Sequence, residues 1–178
     1  DVFMKIKNLK PSEIITTRDF PVHNEHILKI YFKVCKKDKD ILPPTPVVPL
    51  SKGLPLLPGK TKKDKEYNLR IKKYLKENKK IKYVMCDGSH KTTALTLTNN
   101  KIHSAILERD KDVKEFHDLV SLGEIFSLSA GSSIKQILLE KAEHLKDAEF
   151  FESVLDKTKR MVEKKVIPNF MIDYYRKR

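Results

Sequence analysis

Between Val84 and Leu95 the chain reads VMCDGSHKTTAL, and Asp87, Gly88, Ser89, His90 and Lys91 stand in consecutive order. An apolar run precedes them and a helix-forming run follows, which puts the group on a strand-to-helix turn. A helix start leaves its first N–H groups unpaired and carries partial positive charge, a combination suited to phosphate. Gly88 lets the backbone approach a ligand closely, Ser89 can cap or donate, and His90 and Lys91 add donors and charge. Asp87, at the carboxyl end of the strand, is placed to hold a cation or a substrate hydroxyl. An ordinary capped turn uses the same residue types, and spacing alone leaves both readings open.

Other stretches carry less chemistry. Gly53-Leu-Pro-Leu-Leu-Pro-Gly59-Lys60-Thr61 has five residues between its glycines where a P-loop has four. Pro55 and Pro58 also lack the N–H groups that such a loop directs at phosphate, so it is not a P-loop. His23 and His26 lie across a helix start without further ligands nearby and read as exposed. Arg18 and Asp19 read as a surface ion pair, and Glu124 as a partner for a lysine or a neighbour of the site. Cys35 and Cys86 are the two cysteines, and their spacing implies neither a zinc knuckle nor a redox pair.

The elements that must position the turn follow from periodicity. Phe3 to Ile6 forms a first strand, closed by Lys10-Pro11-Ser12-Glu13. Asn24 caps a helix bearing Ile27, Ile30, Tyr31 and Val34 on one face. Thr45 to Leu50 is a strand that Pro46 and Pro49 push to a sheet edge. Residues 51–80 form an insertion, a Pro-rich loop followed by a basic helix from about Asp64 to Asn78. Lys82 to Cys86 and His103 to Leu107 are strands, with a helix from Thr92 to Asn99 between them. From Asp112 onward the period is helical: Val113, Phe116 and Val120, then Ile134, Ile137, Leu138, Ala142 and Leu145, then Phe150, Phe151, Val154, Leu155 and Met161. Phe150, Phe151, Tyr174 and Tyr175 read as packing aromatics. The expected class is α+β, a small mixed sheet with helices and a helical C-terminal part.

At 178 residues the chain is long enough for one domain with a real core. Its net charge of +13 favours polyanions, either nucleotides or nucleic acid. Ten lysines and Arg70 fall within Lys60 to Lys82, a run read first as a solvated helix face. Abundant Lys, Glu and Ile with a single glutamine, Gln136, resemble a hyperthermophile's composition. The opening residues lack a signal-peptide core and no apolar run reaches membrane-spanning length, so a cytoplasmic protein without a membrane partner is expected.

Strand, D-G-x-H-[R/K], helix resembles the signature of the ParB/sulfiredoxin-like superfamily, whose members bind nucleotide phosphates at this turn. Sulfiredoxins carry a catalytic cysteine where this chain has Ser89, so their chemistry is not expected here. Among the branches, the archaeal free L-serine kinases, with D-G-H-H-R in the turn, are the most similar. Leu9-Lys10-Pro11-Ser12-Glu13 resembles their K-P-x-E, and LVSLGEIFS, Leu119 to Ser127, is similar to their L-V-x-x-G-E-[V/I]-F-S. The resemblance covers most of residues 1–50 and 81–138.

The resemblance implies a nucleotide-binding domain over 1–138, with the basic insertion at about 51–80, and a helical extension over 139–178 packed on it. It implies a kinase that phosphorylates free L-serine to O-phospho-L-serine, with ATP or ADP as donor and Mg²⁺. Glu13 would be the general base and Asp87 would orient the hydroxyl or hold Mg²⁺. Gly88, Ser89, His90 and Lys91 would bind the nucleotide phosphates, joined by Ser132, Ser133 and Lys135, which read equally as an ordinary N-cap. Lys91 stands where the family has arginine, giving point charge without a fork. Tryptophan is absent, and residues 51–80 are extra. Two alternatives stay open. One is a ParB-like DNA-binding protein, nuclease or nucleotide-switched clamp using Lys60 to Lys82; the other is a nucleotide-binding regulator without turnover.

Overall fold

The structure is a computed structural model and describes residues 3–16, 24–122 and 131–177. Five strands form one mixed sheet: β1 (Lys5–Leu9), β2 (Ile14–Ile15), β3 (Thr45–Pro49), β4 (Tyr83–Met85) and β5 (Ile102–Ile106). Their order across the sheet is β1-β5-β3-β4-β2. β1 runs antiparallel to β5, β3 parallel to β5, β4 antiparallel to β3 and β2 parallel to β4.

Alternate residues of each strand point to opposite faces, and both faces are buried. Ile14, Val47, Met85 and Ile106 face a layer made by α1 (Glu25–Lys37), α3 (Ser89–Leu97), α6 (Val154–Glu163) and α7 (Asn169–Arg176). Ile15, Val48, Val84 and Ala105 face a layer made by α2 (Lys62–Glu77), α4 (Asp110–Ser121) and α5 (Ile134–Leu145). The molecule is an α+β protein, with the sheet between two helical layers. α5 runs unbroken through residues 138 and 139. No helix among the described residues is long and apolar enough to cross a membrane.

Three local expectations change. β3 is buried along its whole length at the centre of the sheet, not at its edge. Proline loses an N–H donor but keeps its carbonyl: Pro46 O accepts from Cys86 N at 2.9 Å, and Val47 O accepts from Leu107 N at 2.9 Å. In so short a strand, Val47 and Val48 feeding both layers outweigh the missing donors. The first strand begins at Lys5 rather than Phe3, because pairing with β5 begins at Lys5 and Phe3 is exposed.

Asn24 does cap α1, its side chain accepting from Ile27 N. The buried face, however, is Leu28, Phe32 and Cys35, while Ile27 and Ile30 are exposed. Two apolar stripes are interleaved on this helix, and the one bearing Phe32 turns to the sheet, where the larger ring buries more area. The basic helix of the insertion is α2, capped by Thr61. Tyr67 Oη donates to Pro55 O at 2.7 Å, and Asn68 bonds both backbone groups of Leu57, strapping the Pro-rich loop onto it.

Candidate functional site

β4 ends in the centre of the sheet and delivers the chain directly into α3. Gly88 makes the junction with φ 103° and ψ 33°, the left-handed region open to glycine, and is the N-cap of α3. Asp87 Oδ1 accepts from Gly88 N at 2.7 Å, which holds the carboxylate at the turn. Asp87, Gly88, Ser89 and His90 are half-buried and stay reachable from solvent. From Lys91 to Leu97 every residue of α3 is buried, because the helix is enclosed by the sheet, α1, α6 and α7.

Two buried lysines close on the first turn of α3. Lys91 Nζ donates to Pro43 O at 2.6 Å. Burial, only partly offset by the neighbouring Asp87 carboxylate, pushes the Lys91 ammonium down to about 8. Lys157, from α6, is 1% exposed and its Nζ lies 2.6 Å from Ser89 Oγ. Thr45 adds a fully buried hydroxyl that has no hydrogen-bond partner among the described residues. Its Oγ1 lies 3.6 Å from where a Cβ on Gly88 would stand. Tyr31 of α1 borders the same turn; burial raises its phenol, and the charge of Asp87 adds to that shift.

Of the residues singled out from sequence, the structure brings Asp87, Gly88, Ser89, His90 and Lys91 together. Glu13, Ser132, Ser133 and Lys135 do not join them. Glu13 O accepts from Lys82 N at 2.8 Å, so Glu13 lies beside the start of β4, whereas Asp87 follows its end. At about 3.3 Å per residue the two backbones stand roughly 15 Å apart along the strand. The Glu13 carboxylate also turns back on its own 3-10 turn, accepting from Lys10 N at 2.7 Å. A general base needs hydrogen-bond reach of the reacting hydroxyl, and here the Glu13 carboxylate is bonded to its own turn instead.

Ser132 and Ser133 occupy that same far end. Ile134 N donates to Asp110 Oδ1 at 2.9 Å, and Asp110 follows the carboxyl end of β5. β5 is parallel to β3 and therefore antiparallel to β4, so although Ile106 is level with Met85, the chain beyond it runs away from Asp87. Ser133 caps α5 by accepting from Gln136 N, and Ser132 Oγ donates to Gln136 Oε1 at 2.7 Å. Asp110 and Ser133 thus take two of the first three N–H donors of this helix, and Lys135 is exposed on the outside. Arg18, Asp19, His23, Glu124 and the segment from Gly123 to Ser127 lie outside the described residues.

Sequence reasoning missed Lys157, Thr45 and Tyr31. Lys157 had a signal: it shares the α6 stripe of Val154, Thr158 and Met161, all buried. A lysine on an apolar stripe is either satisfied or functional. Thr45 gave none, since its value depends on β3 lying beside β4.

The lysine run sits elsewhere. α2 packs on the sheet face opposite α3 through Tyr67 and Ile71, with Lys62, Lys63, Lys65, Lys72, Lys73 and Lys76 outward. Among the described residues, no group of three or more His, Cys, Asp or Glu is arranged to hold a metal ion. Asp87 places a carboxylate at the mouth of the turn, held by the backbone N–H of Gly88. The class defined by fold and site is an α+β protein with a cationic strand-to-helix turn. No family model, curated protein or solved structure matches the chain.

Proposed function

We propose that the turn binds the phosphates of a nucleotide and that the protein transfers a phosphoryl group from ATP or ADP to the hydroxyl of free L-serine. The observation that carries phosphate binding is the convergence of Lys91 and Lys157, both buried, on the glycine-led start of α3. A helix N-terminus offers unpaired N–H groups and positive potential, and the buried Lys91 ammonium beside it strengthens that potential in a poorly solvated setting. Phosphoryl transfer asks mainly for such positioning and charge neutralisation.

Asp87 would hold Mg²⁺, which on binding supplies charge neutralisation between donor phosphates. Serine as acceptor rests on the resemblance of the DGSHK turn and the KPSE stretch to the free L-serine kinases. The register of β2 on β4 keeps Glu13 out of this proposal as base. The DNA-binding reading is disfavoured because the lysine face of α2 lies across the sheet from α3.

The test is incubation with L-serine, Mg²⁺ and either ATP or ADP, followed by detection of O-phosphoserine. Product with one donor and loss of it in Lys91→Met would support the assignment. DNA binding with steep salt dependence and no phosphoserine would reverse it.

A further inference from the structure

Lys157 and Ser89 form a pair that phosphate binding alone does not require. A lysine that served only as a phosphate ligand could sit at the rim of the turn, in water. Lys157 is instead 1% exposed and lies 2.6 Å from the Ser89 hydroxyl oxygen. Lysines stripped of water in this way serve as general bases, and a serine with a lysine base is a known variant of the activated nucleophile.

The pair is rigidly mounted. Lys157 N donates to Ser153 O at 3.0 Å, Ser153 caps α6, and Ser153 also bridges to Ile15 of β2. Thr16 N donates to Glu152 O at 3.1 Å, and Arg160 forms an ion pair with Glu152. Ser89 is half-buried and opens α3, so a group attached to its Oγ would sit at the N-terminal end of that helix, where the first N–H groups lack intrahelical acceptors. Thr45 contributes a second, independent sign of a ligand here, a buried hydroxyl without a partner beside Gly88.

We infer that Ser89 is a covalent phosphoacceptor, activated by Lys157, and that the reaction proceeds through a phosphoseryl form of this residue. This deepens the nucleotide-dependent reading above and rests on it. In the step, a bond forms between Ser89 Oγ and the terminal phosphorus of the nucleotide. The bridging P–O bond breaks and the shortened nucleotide leaves with its electron pair. The Ser89 proton passes to Lys157 Nζ, which becomes an ammonium in contact with the new phosphate. A phosphoserine at a helix start is stabilised by the dipole and by adjacent cations. The hydroxyl oxygen of the serine substrate then attacks that phosphorus and its proton is released to water, while the bond from phosphorus to Ser89 Oγ breaks and Lys157 returns its proton to the departing Ser89 oxygen.

The experiment incubates the full chain with Mg²⁺ and ATP, or ADP, without serine, then measures intact mass and maps peptides. Wild type should gain one phosphoryl group on Ser89 and discharge it as phosphoserine when L-serine is added. Ser89→Ala should gain none, and Lys157→Met and Lys157→Arg should label at least about a hundredfold more slowly, the usual loss on removing a general base. Thermal unfolding of each variant separates loss of base from loss of fold, and Ser89→Ala, the smallest change, keeps the test open if Lys157 variants do not fold. Phosphoserine formed at the wild-type rate by Ser89→Ala, or label on another residue, overturns the inference and leaves the kinase proposal standing. Label on Ser89 without discharge to serine keeps the inference and removes serine as acceptor. Absence of nucleotide binding and of product overturns both.

Discussion

Gly88 faces Thr45: a Cβ on Gly88 would stand 3.4 Å from Thr45 Cγ2 and 3.6 Å from its Oγ1. That proximity couples the turn at the end of β4 to the centre of the sheet. Gly88→Ala would place its methyl in ordinary van der Waals contact with Thr45 but strain a φ of 103°, so a loss of about 1–2 kcal/mol is expected, read as a lower Tm. Thr45→Val should behave in the opposite sense. Removing an unsatisfied buried hydroxyl is expected to leave stability unchanged or raise it by about 1 kcal/mol, while nucleotide affinity in calorimetry falls.

Lys91 sets a pH dependence. Its folded value of about 8 lies below its ordinary 10.5, so between these values the unfolded chain holds more protons. Stability contributed by this group therefore rises with pH across that window, and its burial penalty is fully present below it. Denaturant titrations from pH 7 to 10 should show that rise in wild type and lack it in Lys91→Met. Affinity for a nucleotide moves the other way: as the ammonium is lost above about pH 8, binding should weaken.

Glu13 gives the test of distance. Its carboxylate serves its own turn, and its backbone lies beside Lys82 rather than Asp87. Glu13→Gln is expected to keep nucleotide binding and phosphoryl transfer within about twofold, with a stability change under about 1 kcal/mol from the altered cap. A hundredfold drop in kcat with unchanged nucleotide affinity would place the carboxylate in the reaction after all.

The thiols should be silent. Burial pushes Cys35 up to about 11 and Cys86 up to about 12, and only a thiolate reacts quickly. Ellman's reagent at pH 8 is expected to leave both unmodified in the native protein and to titrate both in denaturant. Rapid native labelling of Cys86 would show that the end of β4 opens.

Much of the architecture was legible from local pattern. Asn24, Thr61 and Ser133 cap helices because a short polar side chain before an apolar stripe can satisfy the first N–H groups. The run from Thr92 read as a helix, which begins three residues earlier, at Ser89 after the Gly88 cap. What local pattern misjudged was rank order among similar signals. Ile27 and Ile30 repeat with helical period as well as Leu28 and Phe32 do, and the neighbour that covers one stripe is a sheet assembled from distant segments. Two prolines made β3 look peripheral because donor counting is local, whereas its place depends on having strands to accept bonds from both sides.

The sequence by itself determined the turn: five residues, Asp87 to Lys91, whose chemistry and backbone demands are met within one strand-to-helix junction. The tertiary structure alone decided which other residues belong to it. Strand direction carried Glu13 and Ser132 to the opposite end of the sheet, and helix packing brought Lys157 to Ser89 across 68 residues of chain. The physical reason is the range of the forces involved. Capping and dihedral preference act over a few bonds, while burial of an ammonium against a hydroxyl depends on surfaces that meet only after the sheet and both helical layers have closed.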